Sequence, residues 1–254
     1  MAGKAISSAA MTGTTAHREA TVDLDGWRLL VAGATGTIGA EVAATAAARG
    51  ARVAVAGRDP ARLERVARRV GAERGEAFDA YDLEGCRGLA ARAARRTGGL
   101  DAVLVTFGAV AFGRAGEVPL AVQEHLMAVN ASAPMAVLEG ALDVIAPDGA
   151  LGALTGVVVD LAVPGTAAYR ASKAALAAWL DSLRAERRRE GLTVLDARLP
   201  HLDTGFAQRA LAGTPPPLPA GADLDTWVSA VLDGLRHGGA VLRPDGAGAR
   251  SFRP

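Results

Sequence analysis

The sequence predicts an α/β protein: a single-domain Rossmann fold whose doubly wound parallel sheet carries helices on both faces. Three observations predict it. Short apolar runs of strand length alternate with helical segments along most of the chain, and that alternation builds right-handed βαβ crossovers. The first apolar run leads into a glycine-spaced loop that opens a helix. The chain has 254 residues, 50% hydrophobic and 22% charged, which suffices for one large α/β core.

The elements follow in order. Trp27 to Ala32 is a short apolar strand, and Gly33 to Gly39 forms the loop ahead of an Ala-rich helix over 40–49. Residues 51–56 make a second strand. Asp59 is placed as an N-cap with Pro60 at the first helical position, opening a basic amphipathic helix over 61–70. Ala77 and Phe78 mark a short third strand that ends near Asp82. A helix is expected over 89–97, a buried strand over 100–107, and a largely helical stretch over 118–142. Then come a strand over 150–159, a long helix over 167–190, a strand over 193–199, a helix over 224–235 and a last strand near 240–242. A Pro-rich stretch, Thr214 to Pro219, interrupts the pattern late in the chain. Residues 202–224 are therefore expected to form a lid, with Phe206 and Leu211 in an apolar wall. Residues 1–22 are small and polar and read as a flexible tail before a domain over 23–254.

Composition excludes several classes. With 28 basic and 27 acidic residues the net charge is +1, without the basic excess of a nucleic-acid binder. No run of roughly eighteen apolar residues, the length that crosses a bilayer, occurs. The single cysteine, Cys86, excludes an internal disulfide framework, and the four histidines show no metal-ligand spacing. A cytoplasmic protein with no metal is expected.

The rare residues point to chemistry. Only two of the 28 basic residues are lysines, Lys4 and Lys173. Lysine differs most from arginine where a compact ammonium or a movable pKa is needed. Lys173 follows Tyr169 by four residues, and that spacing puts both side chains on one helix face. The glycine loop, Gly33-Ala34-Thr35-Gly36-Thr37-Ile38-Gly39, lets a helix N-terminus approach a pyrophosphate closely. At the end of the second strand an acid would hold ribose hydroxyls. Gly57 and Arg58 stand there instead, and a guanidinium suits a 2′-phosphate. NADP(H) is the expected cofactor.

Here the residues resemble the short-chain dehydrogenase/reductase family over nearly the whole chain from about Gly26. Tyr169-Arg170-Ala171-Ser172-Lys173 resembles its Y-x-x-x-K motif, supported by Pro164-Gly165 before it and Ala174-Ala175-Leu176 after it. Asp82-Leu83 resembles the pair that touches the adenine ring. Val129-Asn130 resembles the family's helix asparagine, and Leu199-Pro200 with Thr204 the turn beside the nicotinamide. The resemblance implies that Tyr169 is the general acid/base and that Lys173 lowers the phenol pKa and binds the nicotinamide ribose. It implies that Asn130 holds a water linking Lys173 to solvent. It further implies a homo-oligomer, dimer or tetramer, acting on a small-molecule ketone or secondary alcohol, with Gly108 at the cofactor.

Four positions depart from the family pattern. The serine position falls on Gly156, next to Thr155. Adjacent strand residues face opposite sides, so Thr155 replaces that serine only if the strand end bends. The segment after the fourth strand reads Val105-Thr106-Phe107-Gly108 and keeps only the glycine of N-N-A-G. The glycine spacing is that of the extended form, with Thr37 at a glycine position. Pro200-His201 replaces Pro-Gly. Two rival readings are a non-redox enzyme on the same scaffold (isomerase, dehydratase or cyclase) and a non-catalytic NADP(H)-binding regulator.

Overall fold

The computed structural model describes residues 22–245 and 250–253. The tail expected over residues 1–22 lies outside them except for Val22, which packs against the core.

β1 (Arg28–Ala32) is buried along nearly its whole length and feeds the glycine loop and α1 (Thr37–Ala48). β2 (Arg52–Gly57) returns parallel beside β1, with Leu30 opposite Ala54. α2 (Pro60–Arg69) starts where the sequence places it, because the Asp59 carboxylate accepts from Arg62 N at 3.0 Å. β3 (Glu76–Ala77), α3 (Leu83–Arg87), α4 (Leu89–Thr97) and β4 (Leu100–Val105) follow. Next come α5 (Leu120–Met127), a π-helical turn (Ala128–Ser132), α6 (Ala133–Leu142) and β5 (Ile145–Leu154). α7 (Ala167–Arg187), β6 (Thr193–Ala197), α8 (Leu224–Arg236), β7 (Val241–Pro244) and β8 (Arg250–Arg253) complete the order.

The strands form one sheet in the order β3-β2-β1-β4-β5-β6-β7-β8. All neighbours pair in parallel except β7 and β8. Two apolar layers sandwich the sheet. One contains Val42 of α1 with Trp227 and Val231 of α8, and the other Leu89 of α4, Val137 of α6 and Leu180 of α7. Strand order reverses between β1 and β4, the crevice where ligands bind in open α/β sheets.

Several boundaries differ from the sequence expectation. α1 begins inside the glycine loop at Thr37, because nothing after Gly36 opposes helical backbone. The helix expected over 118–142 is broken by the π-helical turn. Pro134 has no N–H to offer Asn130's carbonyl four residues earlier, which favours the wider turn. The strand expected over 150–159 starts earlier and stops at Leu154. The apolar run Val157–Val159 forms a 3-10 turn instead, since Gly156 turns the chain at φ 94°. The antiparallel edge strand β8 has no counterpart in the sequence reading.

Candidate active site

The C-terminal ends of β1 to β6, with residues of α1, α2, α5 and α7, build one cleft of about 680 Å³. Its floor at one end is the glycine loop. Gly33 takes φ 101°, and a Cβ on Gly39 would lie only 2.4 Å from Gly33 O. Only glycine at both positions lets the helix sit this close to the strand. The N-cap of α1 is Gly36, which places no side chain over the helix end. The first-turn N–H groups and the positive end of the helix dipole are therefore left for an anion. Gly33, Thr35, Gly36, Thr37, Ile38 and Gly39 all line the cleft. Thr106, read from the sequence only as a departure, ties this loop down: its hydroxyl donates to Ala32 O at 3.1 Å.

Arg58 lies at the same end and is exposed, and Arg62 joins it from α2. Asp59 is engaged in the helix cap, so the carboxylate beside Arg58 does not take the place of a ribose-binding acid. No Asp or Glu lines the cleft among the described residues. A cationic, acid-free end facing an open helix N-terminus fits a phosphorylated dinucleotide.

Of the pair expected at the adenine, neither Asp82 nor Leu83 lines the cleft. Asp82 caps α3, its carboxylate accepting from Gly85 N at 2.9 Å, and Leu83 points to solvent. The cleft wall there is Phe78 and Ala80, with Phe107 tilted against Phe78 at 5.0 Å between ring centroids. The chain turns between β3 and α3, so the residues nearer the strand end reach the cleft. His125 of α5 also lines it and meets Tyr81 Oη through Nδ1 at 2.6 Å. That pair joins positions 44 apart, so no local spacing announces it.

Tyr169 and Lys173 both face the cleft from the first two turns of α7. Lys173 Nζ donates to Leu154 O at 2.9 Å and is 5% exposed. Gly108 permits this approach, since a Cβ there would stand 3.1 Å from Nζ and 3.0 Å from Asn130 Oδ1. Burial pulls the Lys173 ammonium down to about 8, opposed by the negative charge of Asp196. The expectation that Lys173 lowers the Tyr169 pKa is not what this geometry yields. Burial raises the phenol above its ordinary value, because desolvation disfavours the phenolate. Tyr169 therefore holds its proton at neutral pH.

Asn130 is fully buried in the π-helical turn. Its amide pairs with the backbone of Ala109 in both directions at 2.8 Å and donates to Ser172 Oγ at 2.9 Å. The side chain thus clamps the end of β4 to α7, and both amide hydrogens are already used. A water expected on Asn130 has the main-chain carbonyl left to bind.

Thr155, the candidate stand-in for the family serine, lines the cleft. It is 1% exposed, and its hydroxyl donates to the buried carboxylate of Asp196. Arg198 Nε donates to the other carboxylate oxygen at 2.7 Å, and its Nη1 donates to Asp160 Oδ1 at 2.5 Å. Gly156 lines the same cleft as Tyr169 and takes φ 94° and ψ 157°, a region that essentially only glycine enters. Pro200, His201 and Thr204 line the cleft after β6.

An open α1 terminus, a cationic far end and a tyrosine–lysine pair share one cleft on a Rossmann-type sheet. The chain matches the short chain dehydrogenase family over residues 28–214 and belongs to it. It is 28% identical over 198 residues to dehydrogenase/reductase SDR family member 7B of Danio rerio. That match takes in 73% of this chain and 64% of the length of the curated relative. A short chain dehydrogenase from Burkholderia cenocepacia J2315 in complex with NADP is similar at 25% identity and TM-score 0.74, covering 84% of this chain and 92% of that one. A dehydrogenase from Burkholderia cenocepacia with bound NADP is 26% identical at TM-score 0.67, covering 75% of each chain. No helix among the described residues is long and apolar enough to cross a membrane.

Proposed function

We propose that the chain is an NADP(H)-dependent oxidoreductase that interconverts a ketone and a secondary alcohol. The observation that carries this reading is the single cleft, which joins an uncapped α1 terminus and Arg58 to Tyr169 and Lys173. The two NADP-bound relatives from Burkholderia cenocepacia support the choice of cofactor. Gly33 to Gly39 would hold the pyrophosphate, and Arg58 with Arg62 the 2′-phosphate. Pro200 and Thr204 would border the nicotinamide, with Gly108 beside the ribose. When bound, NADPH supplies the hydride for reduction.

The protein's own part is position and proton transfer. Tyr169 Oη donates its proton to the carbonyl oxygen as the alcohol forms, which suits a phenol that burial keeps protonated. Lys173 would bind the ribose, and its ammonium would offset part of the penalty that burial sets on the phenolate left when the proton departs. A water on the Asn130 carbonyl would return the proton from solvent. The same reading includes a homo-oligomer. It also includes a reducing, cytoplasmic setting, which the free and buried Cys86 suits.

One observation favours a second reading. Gly156 supplies no hydroxyl and Thr155 turns its own to Asp196. A non-redox acid/base enzyme on this scaffold tolerates that loss more easily than a reductase, for which one missing donor can cost roughly 10²–10³ in rate. Fluorescence titration with NADPH and NADH, for wild type and Arg58→Ala, tests the cofactor. Tighter NADPH binding that weakens about tenfold or more in the variant is expected, as is loss of ketone reduction in Tyr169→Phe with binding kept. Equal affinity for the two nucleotides, or full turnover in Tyr169→Phe, overturns the reading.

A further inference from the structure

The end of the cleft beyond Tyr169 differs in chemistry from the nucleotide end. Val158, Leu161, Val163, Phe206, Leu211 and Leu218 line it. Four of them are strongly exposed: Leu161 55%, Leu211 47%, Leu218 39% and Val163 37%. They make up half of the eight large apolar side chains that the described residues expose. Scattered singly such residues mean little, but gathered at one mouth beside an acid/base pair they mark a surface that a ligand covers.

Two arrangements hold this wall in place without the ligand. Arg170 of α7 donates to Val158 O and Val159 O at 3.1 Å each, which fixes the 3-10 turn. The opposite side is stitched to the 110–112 segment, with Leu211 N donating to Val110 O at 2.9 Å and Phe112 N to Ala212 O at 2.8 Å. The one cation of this mouth, Arg209, is turned to Thr204 O.

Gly156 adds a steric fact. A Cβ there would meet nothing nearer than Leu199 O at 3.8 Å, so space is open at this point of the cleft. Gly156 has no hydroxyl and Thr155 turns its own to Asp196, so beyond the Tyr169 hydroxyl the apolar wall is left to orient the substrate.

We propose that the substrate is a bulky, predominantly apolar ketone, or the matching alcohol, carrying a ring or branch next to the reacting carbon. Resting on the oxidoreductase reading, this names its substrate class. The ring fills the space at Gly156 and the rest of the apolar body covers Leu161, Val163, Leu211 and Leu218. Each buried methylene is worth about fourfold in binding, so a fused bicyclic ketone gains a large factor over a small polar one.

The test compares 1-tetralone and 2-decalone with acetoin, in two readouts. NADPH-dependent reduction gives kcat/KM, and calorimetry on the protein with and without NADPH gives ketone affinity apart from turnover. At least a hundredfold preference for the bicyclic ketones is expected in kcat/KM, with tighter binding in calorimetry. Leu161→Asp and Leu211→Asp stand at the mouth, away from the chemistry. Each is expected to raise KM for 1-tetralone tenfold or more and to leave NADPH affinity unchanged. Equal or better use of acetoin, or no effect of either substitution on 1-tetralone affinity, overturns the proposal. Bicyclic ketones that bind but are never reduced, on a protein that binds NADPH, sink the oxidoreductase reading and leave the apolar site standing. No bicyclic binding on a protein that binds NADPH sinks the substrate class alone.

Discussion

At the scale of single residues, Gly156 and Lys173 decide most. Gly156 sits where its relatives are expected to carry a hydroxyl, yet its backbone lies in a region closed to serine. Gly156→Ser is therefore expected to lose about 1–3 kcal/mol of stability. A fall of several degrees in Tm follows for a domain of this size. Thermal unfolding of the variant checks it, and a rise in Tm would contradict the strain argument. Lys173 titrates near 8 in the folded protein against an ordinary value of 10.5. Between those values the unfolded chain binds more protons, so this group makes the protein more stable as pH rises from 8 to 10.5. Below pH 8 the full cost remains, about 3 kcal/mol. Without cofactor, Lys173→Met is expected to melt above wild type at pH 7 and to lose that advantage by about pH 10. Melting curves across that range measure the difference, in which Tyr169 cancels because both proteins carry it.

At the scale of elements, β5 and β6 end in a buried charge. Asp196 is wholly enclosed and held by Thr155 and Arg198. Arg198 then carries the link to Asp160 just after the 3-10 turn. Removing one partner of such a pair costs about 3–5 kcal/mol, because the other charge stays buried. Asp196→Ala is expected to fall in that range by denaturant unfolding, with Asp196→Asn less affected since it keeps a hydrogen bond to Thr155. In both variants the Lys173 titration should move below about 8, as the charge that supports its ammonium is gone. The π-helical turn works at the same scale. It delivers Asn130 to the backbone of Ala109 and so joins the segment after β4, α7 and the turn itself at the cleft end of the sheet.

At the scale of the whole molecule, the site exists because the sheet reverses direction. β1 and β4 carry their following loops to opposite sides, and the cleft opens between Gly33 to Gly39 and Thr106 to Ala109. A ligand that binds only this folded arrangement stabilises it by mass action. NADPH at a hundred times its dissociation constant is expected to add about 2.7 kcal/mol. Tm should rise with NADPH concentration, more at equal concentration than with NADH, and an unchanged Tm would argue against a nucleotide cleft.

The sequence by itself determined the strand–helix alternation, the glycine loop, the Asp59 cap with Arg58 beside it, and the Tyr169–Lys173 spacing. Each of these is written within a few neighbouring residues, where backbone preference and helical period act directly. Tertiary structure alone decided which way Thr155 turns, that Phe78 and Ala80 rather than Asp82 and Leu83 line the cleft, and that Val157–Val159 leave the sheet. It also decided the pairing of His125 with Tyr81 and the proton affinity of Tyr169. These depend on desolvation and on partners far away in the chain, such as Asp196, and no local pattern encodes a buried neighbour's distance or the water that burial removes.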